Sequence, residues 1–218
     1  MSIQNNTTAL QALLEQANAL PDAGSGTDER FLQLASGTLP AVNDDTLTKV
    51  KDSAFAYDTT LKTARLSNLK SMSSSCFRGC TNLETVDLPN VTGAIAPYGF
   101  QSCSNLKNVN IPLATSVGLY AFRECKVLEK LELGNISSIN GYSFGSCAKL
   151  ITLIIRRTGT KVSTLSSTSA FNGTPIASGT GFVYVPSALV DTYKTATNWS
   201  TFADQIRAIE DYPEITGG

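Results

Sequence analysis

Histidine is absent from the 218-residue chain. That absence excludes a Ser-His-Asp triad, a Cys-His pair and any zinc site built on imidazole ligands. Long apolar runs are absent too: no segment approaches the roughly 18 consecutive apolar residues of a membrane-spanning helix, so membrane insertion is not expected. The opening MSIQNNTTAL has neither the cationic nor the apolar region of a secretion signal, and the chain is expected to carry none. Charge of one sign is not in excess, 17 Lys and Arg standing against 18 Asp and Glu for a formal net charge of -1. A chain so balanced has no basic field to hold nucleic acid or an anionic membrane surface. Nor does it contain a GxSxG elbow, a P-loop or a GxGxxG between a strand and a helix. Carboxylate chemistry, or a Ser or Cys activated by Lys, needs no histidine, but neither has a motif here. No catalytic residue, metal site or cofactor is assigned, and the expectation is a protein that binds without catalysing.

What is present is an internal repeat. The segments DSAFAYDTTLKTARL, SSCFRGCTNLETVDL, PYGFQSCSNLKNVNI, LYAFRECKVLEKLEL and GYSFGSCAKLITLII align without gaps. Phe55, Phe77, Phe100, Phe122 and Phe144 recur at 77-55=22, 100-77=23, 122-100=22 and 144-122=22 residues. A looser copy follows at Phe171, where 171-144=27 implies 27-22=5 extra residues, expected in the polar stretch RRTGTKVSTLSST at 156 to 168. Periods of this length belong to leucine-rich solenoids, in which one coil cannot bury its own apolar face and stability comes from stacking. The fold expected is an α/β-type solenoid: a right-handed leucine-rich-repeat coil of about six 22-23-residue repeats, with one parallel sheet and helical caps at the ends.

Each unit ends in a strand of the form L-x-x-V-x-L, and side chains alternate faces along a strand. Leu83, Val86, Leu88, Leu106, Val109, Ile111, Leu128, Leu131 and Leu133 point inward. Thr63, Arg65, Thr85, Asp87, Asn108, Asn110, Lys130, Glu132, Thr152 and Ile154 face outward on the sheet. From Arg65 onward, these outward residues are the candidate ligand-binding positions. Arg65 and Lys130 cancel Asp87 and Glu132, leaving a neutral surface of Thr and Asn that suits a protein or sugar better than a polyanion. Toward its C-terminal edge the face turns apolar, with Ile154, Phe182 and Tyr184 either covered by the terminal helix or open as a ligand patch.

The repeat resembles the BspA-like leucine-rich-repeat family, whose units read IGxxAFxxCxxLxxIxLP. The segment IAPYGFQSCSNLKNVNIP at 95 to 112 fits it almost position for position, and FVYVPSALVDTYKTATNWSTFADQI at 182 to 206 is similar to the segment that often closes such arrays. The resemblance runs from about residue 49 to 210. It implies a curved, non-catalytic solenoid used for adhesion or for binding a protein or glycan, on a bacterial surface and hence extracellular. Similar short arrays with N-terminal helices in phage or prophage proteins imply the alternative, a virion-associated tail, receptor-binding or structural component assembled through its N-terminal helix.

Cys80, Cys103, Cys125 and Cys147 each lie three residues after a Phe, so stacking sets them in a column about 4.8 Å per step. Four sulfurs strung along such a column cannot all approach one zinc at ~2.3 Å, and parallel side-chain vectors hold neighbours too far apart for an unstrained disulfide. Cys76 falls in another column, the residue before the Phe, otherwise filled by Ala54, Gly99, Ala121, Ser143 and Ala170. All five thiols are expected to be reduced, compact filler. Tyr98, Tyr120 and Tyr142, two residues before successive Phe, form an aromatic stripe away from the sheet. It is either a second binding row or rings that stack as the edge of the coil. Arg156, Arg157 and Lys161 are expected to be a solvated loop.

The ends depart from the repeat. Residues 1-27 read as an amphipathic helix, with Leu10, Leu13, Ala17 and Leu20 as an oligomerising or docking seam, followed by a Gly/Ser tether. Residues 28-48 are expected to cap the array, 49-186 to form the solenoid, 187-210 a C-terminal helical cap and 211-218 a disordered tail.

Overall fold

Side chains that recur every 22 or 23 residues lie above one another once each repeat closes into one coil, and parallel strands then pair coil to coil. The computed structural model shows this arrangement and describes residues 41–216. The expected helix seam at Leu10, Leu13, Ala17 and Leu20, the tether, and the cap as far as residue 40 lie outside the described residues, as do residues 217 and 218.

The L-x-x-V-x-L strands build a parallel face. Strands β1 (Ala41–Asn43), β2 (Thr63–Arg65), β3 (Thr85–Asp87) and β5 (Asn108–Asn110) pair in that order, with Val42, Ala64, Val86 and Val109 in register. A second ladder runs through β7 (Lys130–Leu133), β9 (Thr152–Ile155), β11 (Phe182–Val185) and β12 (Ile206–Ala208). The single sheet expected is thus two four-stranded ladders, with β5 and β7 adjacent but in different sheets. The face also starts earlier than expected, because Ala41–Asn43, assigned to a cap, pairs with β2.

A third sheet was not foreseen. The two-residue strands β4 (Ala94–Ile95), β6 (Ser116–Val117), β8 (Ser138–Ile139) and β10 (Thr164–Leu165) pair in parallel on another side of the coil. Each contributes one buried residue to the core, Ile95, Val117, Ile139 and Leu165. The extra residues of the long coil also divide. Thr164 pairs with Ser138, a step of 164-138=26 residues in place of 22, and Phe182 pairs with Thr152, a step of 182-152=30. Part of the insertion therefore follows Phe171, in the turns of NGTPIASGTG at 172 to 181.

The corner around each Phe rests on backbone the sequence does not advertise. Two residues before the Phe, Ser53, Ser75, Tyr98, Tyr120 and Tyr142 have φ of 60, 57, 57, 56 and 53°. Two residues after it, Tyr57, Gly79, Ser102, Glu124, Ser146 and Gly173 are also left-handed. These paired reversals tuck the ring inward and aim the Phe N–H at the next coil: Phe77 donates to Gly99 O at 2.9 Å and Phe100 to Ala121 O at 2.8 Å. At Gly79, with φ of +72°, a Cβ would lie 2.5 Å from the Tyr57 ring, so any side chain there would have to displace that ring.

The rings of Phe55, Phe77, Phe100, Phe122, Phe144 and Phe171 form a continuous stack with centroid steps of 5.0, 5.5, 5.2, 5.8 and 5.6 Å. The stack ends on Trp199 and Phe202, at 5.9 and 5.1 Å from Phe171. The C-terminal segment at 187–210 is only partly helical. A 3-10 turn at Ser187–Leu189 leads into the one described α-helix, α1 (Val190–Thr195), then a 3-10 stretch at Trp199–Gln205, and then β12 joins the sheet. Nor are residues 211–216 a free tail: Ile209–Asp211 and Pro213–Thr216 are 3-10 turns.

Candidate functional site

The parallel register sets the outward residues in two rows. One holds Thr63, Thr85 and Asn108 on the first ladder, then Lys130, Thr152 and Phe182 on the second. The other holds Arg65, Asp87 and Asn110, then Glu132, Ile154, Tyr184 and Arg207. Between the ladders lies an open depression of about 460 Å³. It brings together seven of the predicted residues, Arg65, Thr85, Asp87, Asn108, Asn110, Lys130 and Glu132, and adds Val86, Lys107 and Val109. Val109 is only partly buried, whereas Val86 and Leu131, its counterparts on the flanking strands, are closed to about 1% exposure. Lys107 was missed because it follows Leu106 outside the strict alternation. Its signal is the charge sequence Lys62, Glu84, Lys107, Glu129 after successive Leu.

The charges on this face are largely matched within it. Arg65 Nε lies 3.2 Å from Asp87, which also accepts from Asn110 Nδ2 at 2.8 Å, and Lys107 pairs with Glu84 at 3.0 Å. Arg156, expected in a solvated loop, pairs with Glu132. Lys130 donates its ammonium proton to the Ile215 carbonyl, reaching a segment 85 residues away in sequence. Such exposed pairs contribute little stability, about 0–1 kcal/mol each, but they orient long side chains.

The far end of the face departs from expectation. Ile154 is fully buried and Tyr184 only 7% exposed, so neither is open to a ligand. Residues 209–216 reach this end of the face: Tyr212 packs edge-on against Tyr184 at 5.3 Å while the Ile215 carbonyl accepts from Lys130. Phe182, half-buried, carries the Arg207 guanidinium 4.6 Å above its ring.

The other columns stack along the array. Tyr98, Tyr120 and Tyr142 stack at 5.2 and 5.3 Å with interplanar angles of 17 and 11°, and Arg78 and Arg123 lie over the rings of Tyr98 and Tyr120. Rings stacked this way cover one another's faces and present edges and hydroxyls. The five cysteines are unpaired and buried. Cys80, Cys103, Cys125 and Cys147 each donate the thiol proton to the carbonyl of the Phe one coil back, at 2.9, 3.0, 3.2 and 3.0 Å. Where the column ends its residues stay polar, Asp58 accepting from the Leu61 N–H and Thr174 donating to Phe171 O. The column is thus a series of small buried hydrogen-bonding groups rather than inert filler.

Six copies of the BspA type leucine rich repeat region match residues 48–176, more than half of the chain. The chain belongs to the BspA-type leucine-rich-repeat family. The BspA-type array has solved neighbours with the same fold. A leucine-rich repeat protein from Bacteroides ovatus superposes with a TM-score of 0.56 at 21% identity, over 79% of this chain and 41% of its own. The pneumococcal vaccine antigen PcpA superposes with a TM-score of 0.56 at 17% identity, over 78% of this chain and 40% of its own. The BspA-type chain thus spans about two fifths of the length of these structures, and at such identities the likeness speaks for the fold. No curated protein matches it.

Proposed function

We propose that this BspA-type array is a surface-associated binding module whose ligand is a protein, held by the parallel face around the depression. The observation that carries this reading is the depression itself, where Arg65, Asp87, Asn110, Lys130 and Glu132 differ from coil to coil on a scaffold of fixed spacing. Variation on a constant backbone is how a repeat encodes specificity. Mixed, internally paired charges with no exposed ring face suit the polar rim of a protein interface better than a sugar, which stacks on aromatic faces. PcpA, an antigen, and the family's repeat support surface display, and nothing in the site calls for catalysis.

The test is a titration of the purified chain against a panel of extracellular-matrix and epithelial surface proteins. Asn110→Glu combined with Lys130→Glu is expected to weaken the strongest interaction at least tenfold at unchanged melting temperature. Tyr98→Ala with Tyr120→Ala should leave it within a factor of three. Loss of binding in the tyrosine variant with none in the sheet variant would move the site to the other face.

A further inference from the structure

We infer that Tyr57, Arg78 and Tyr98, at the Phe corners and apart from the parallel face, form a second binding site, for a saccharide residue that carries a carboxylate. The inference goes beyond the reading above and uses none of the residues that line the depression.

The guanidinium of Arg78 is what carries it. Among the described residues every other arginine has an acceptor within the molecule: Arg65 on Asp87, Arg123 on Glu124, Arg156 on Glu132, Arg157 on Asn135 and Arg207 on the Asp204 carbonyl. Arg78 has no carboxylate, amide or carbonyl partner among them. It is held in place all the same, set between rings of the coils before and after it, with its Cζ 5.8 Å from the centroid of Tyr57 and 5.6 Å from that of Tyr98. Rings take the faces of a guanidinium and leave the fork of N–H donors in its plane to other partners. Its own column brings no acid to that fork. The coil before has Ala56 in this place, and the coil after has Gln101, buried and with an Oε1 that lacks a hydrogen-bond partner among the described residues. The acids of the neighbouring corner are turned elsewhere, Asp52 to the Ser74 N–H and Asp58 to those of Thr60 and Leu61. An ordered, unpaired fork is matched to a ligand carboxylate, which it takes through two parallel hydrogen bonds.

The ring beside it selects the rest of the ligand. Tyr57 is 64% exposed. Its ring lies on Gly79, where a Cβ would come within 2.5 Å of it, so one side is seated on the next coil while the other faces solvent. The hydroxyls of Tyr57 and Tyr98 have no hydrogen-bond partner among the described residues. An open ring face for the C–H side of a pyranose, phenol groups for its hydroxyls and a fork for its carboxylate are together complementary to a sialic or uronic acid residue. An acidic side chain of a protein would engage the fork alone.

The probes are sialyllactose and a hyaluronan tetrasaccharide, titrated by calorimetry into the full chain, with lactose as the neutral counterpart and the peptide Gly-Glu-Gly as a carboxylate without a sugar. At least one acidic saccharide is expected to bind ten times or more tightly than either control. Arg78→Gln should bring it down to the level of lactose, and Arg78→Lys should restore only part of the loss, since an ammonium lacks the planar fork. Tyr57→Ala, which removes an exposed ring, should weaken it at least fivefold at unchanged melting temperature. Asn110→Glu with Lys130→Glu, on the parallel face, should leave it within a factor of two. Failure of both saccharides to exceed lactose would overturn the inference, as would binding that survives Arg78→Gln and Tyr57→Ala or that is lost in the parallel-face variant. Equal binding of Gly-Glu-Gly would mean a bare carboxylate site and would overturn the assignment to a saccharide.

Discussion

At Cys80, Cys103, Cys125 and Cys147 a single thiol fills a small core position and gives a proton to a Phe carbonyl, and at the first three its protonation is tied to folding. Burial pushes Cys76, Cys103 and Cys125 well above the ordinary value of 9.0, and Cys80 up to about 12. Neighbouring thiols raise them further, Cys80 acting on Cys76 and Cys103, and Cys147 on Cys125. These folded values lie above those of the unfolded chain. Between about pH 9 and 12 the unfolded state therefore holds fewer protons, and stability falls as pH rises through that window, by about 1.4 kcal/mol per pH unit for each such thiol. Urea melts at pH 7, 9, 10 and 11 should show little change up to 9 and a steep loss beyond it. Cys103→Ala, with one titrating group removed, should flatten that loss by one such increment. The same scale shows what the corners cost. Tyr98, Tyr120 and Tyr142 adopt a left-handed backbone that costs an ordinary residue roughly 1–2 kcal/mol, and the ring stack and cation contacts along the edge of the coil offset it.

Among the elements, the stretch from α1 to Trp199 is hydrogen-bonded to the coil at Ser163. In other coils this position is aliphatic, as at Leu69, Val91 and Ile136, whereas here the serine is fully buried. Its N–H donates to the Tyr193 hydroxyl at 3.0 Å, its carbonyl accepts from the Trp199 indole at 2.7 Å, and the Tyr193 hydroxyl donates to its Oγ at 2.9 Å. Tyr193→Phe leaves the Ser163 N–H without its acceptor in the core, and a stability loss of about 1–3 kcal/mol is expected in a denaturant titration, with the fold intact. None of this was legible in the sequence, because a lone serine carries no periodic signal. The Phe and Cys columns and the L-x-x-V-x-L strands were legible, since each repeats at least four times at fixed spacing. The strands β4, β6, β8 and β10 were not, because two residues show no alternation beyond one apolar position. The left-handed corners were hidden since Tyr, Ser and Glu stand where glycine would announce them. Of the candidate face, Arg65 to Glu132 followed from period two, but period two could not say whether Ile154 is covered or open, and it is buried near the contacts of Tyr212 with Tyr184 and of Ile215 with Lys130, which no local pattern encodes.

Over the whole array, each Phe ring from Phe77 to Phe144 stacks on the Phe rings above and below it, so the molecule is read as a line of nearest neighbours more than as a globule. Phe100 lies midway, 5.5 Å from Phe77 and 5.2 Å from Phe122. The C-terminal end of the line is closed by Trp199 and Phe202 against Phe171, with Tyr193 packed on Trp199. Phe100→Ala removes a fully buried ring and should cost about 3–5 kcal/mol, and it cuts the line into two unequal parts. The chain has one tryptophan, and it lies at that closed end, so its fluorescence reports that end alone while circular dichroism reports all coils. In wild type the two signals should melt together, as a cooperative unit requires. In Phe100→Ala the dichroism should fall first, with the Trp199 signal following several degrees higher. Phe55→Ala, stripped of a ring with one stacked neighbour among the described residues, should lower both signals together and by less. Coincident melts in Phe100→Ala would mean that coupling reaches beyond adjacent coils, through the sheets at β3 and β5 or through the Cys column, and the nearest-neighbour account would have to give way to one continuous core.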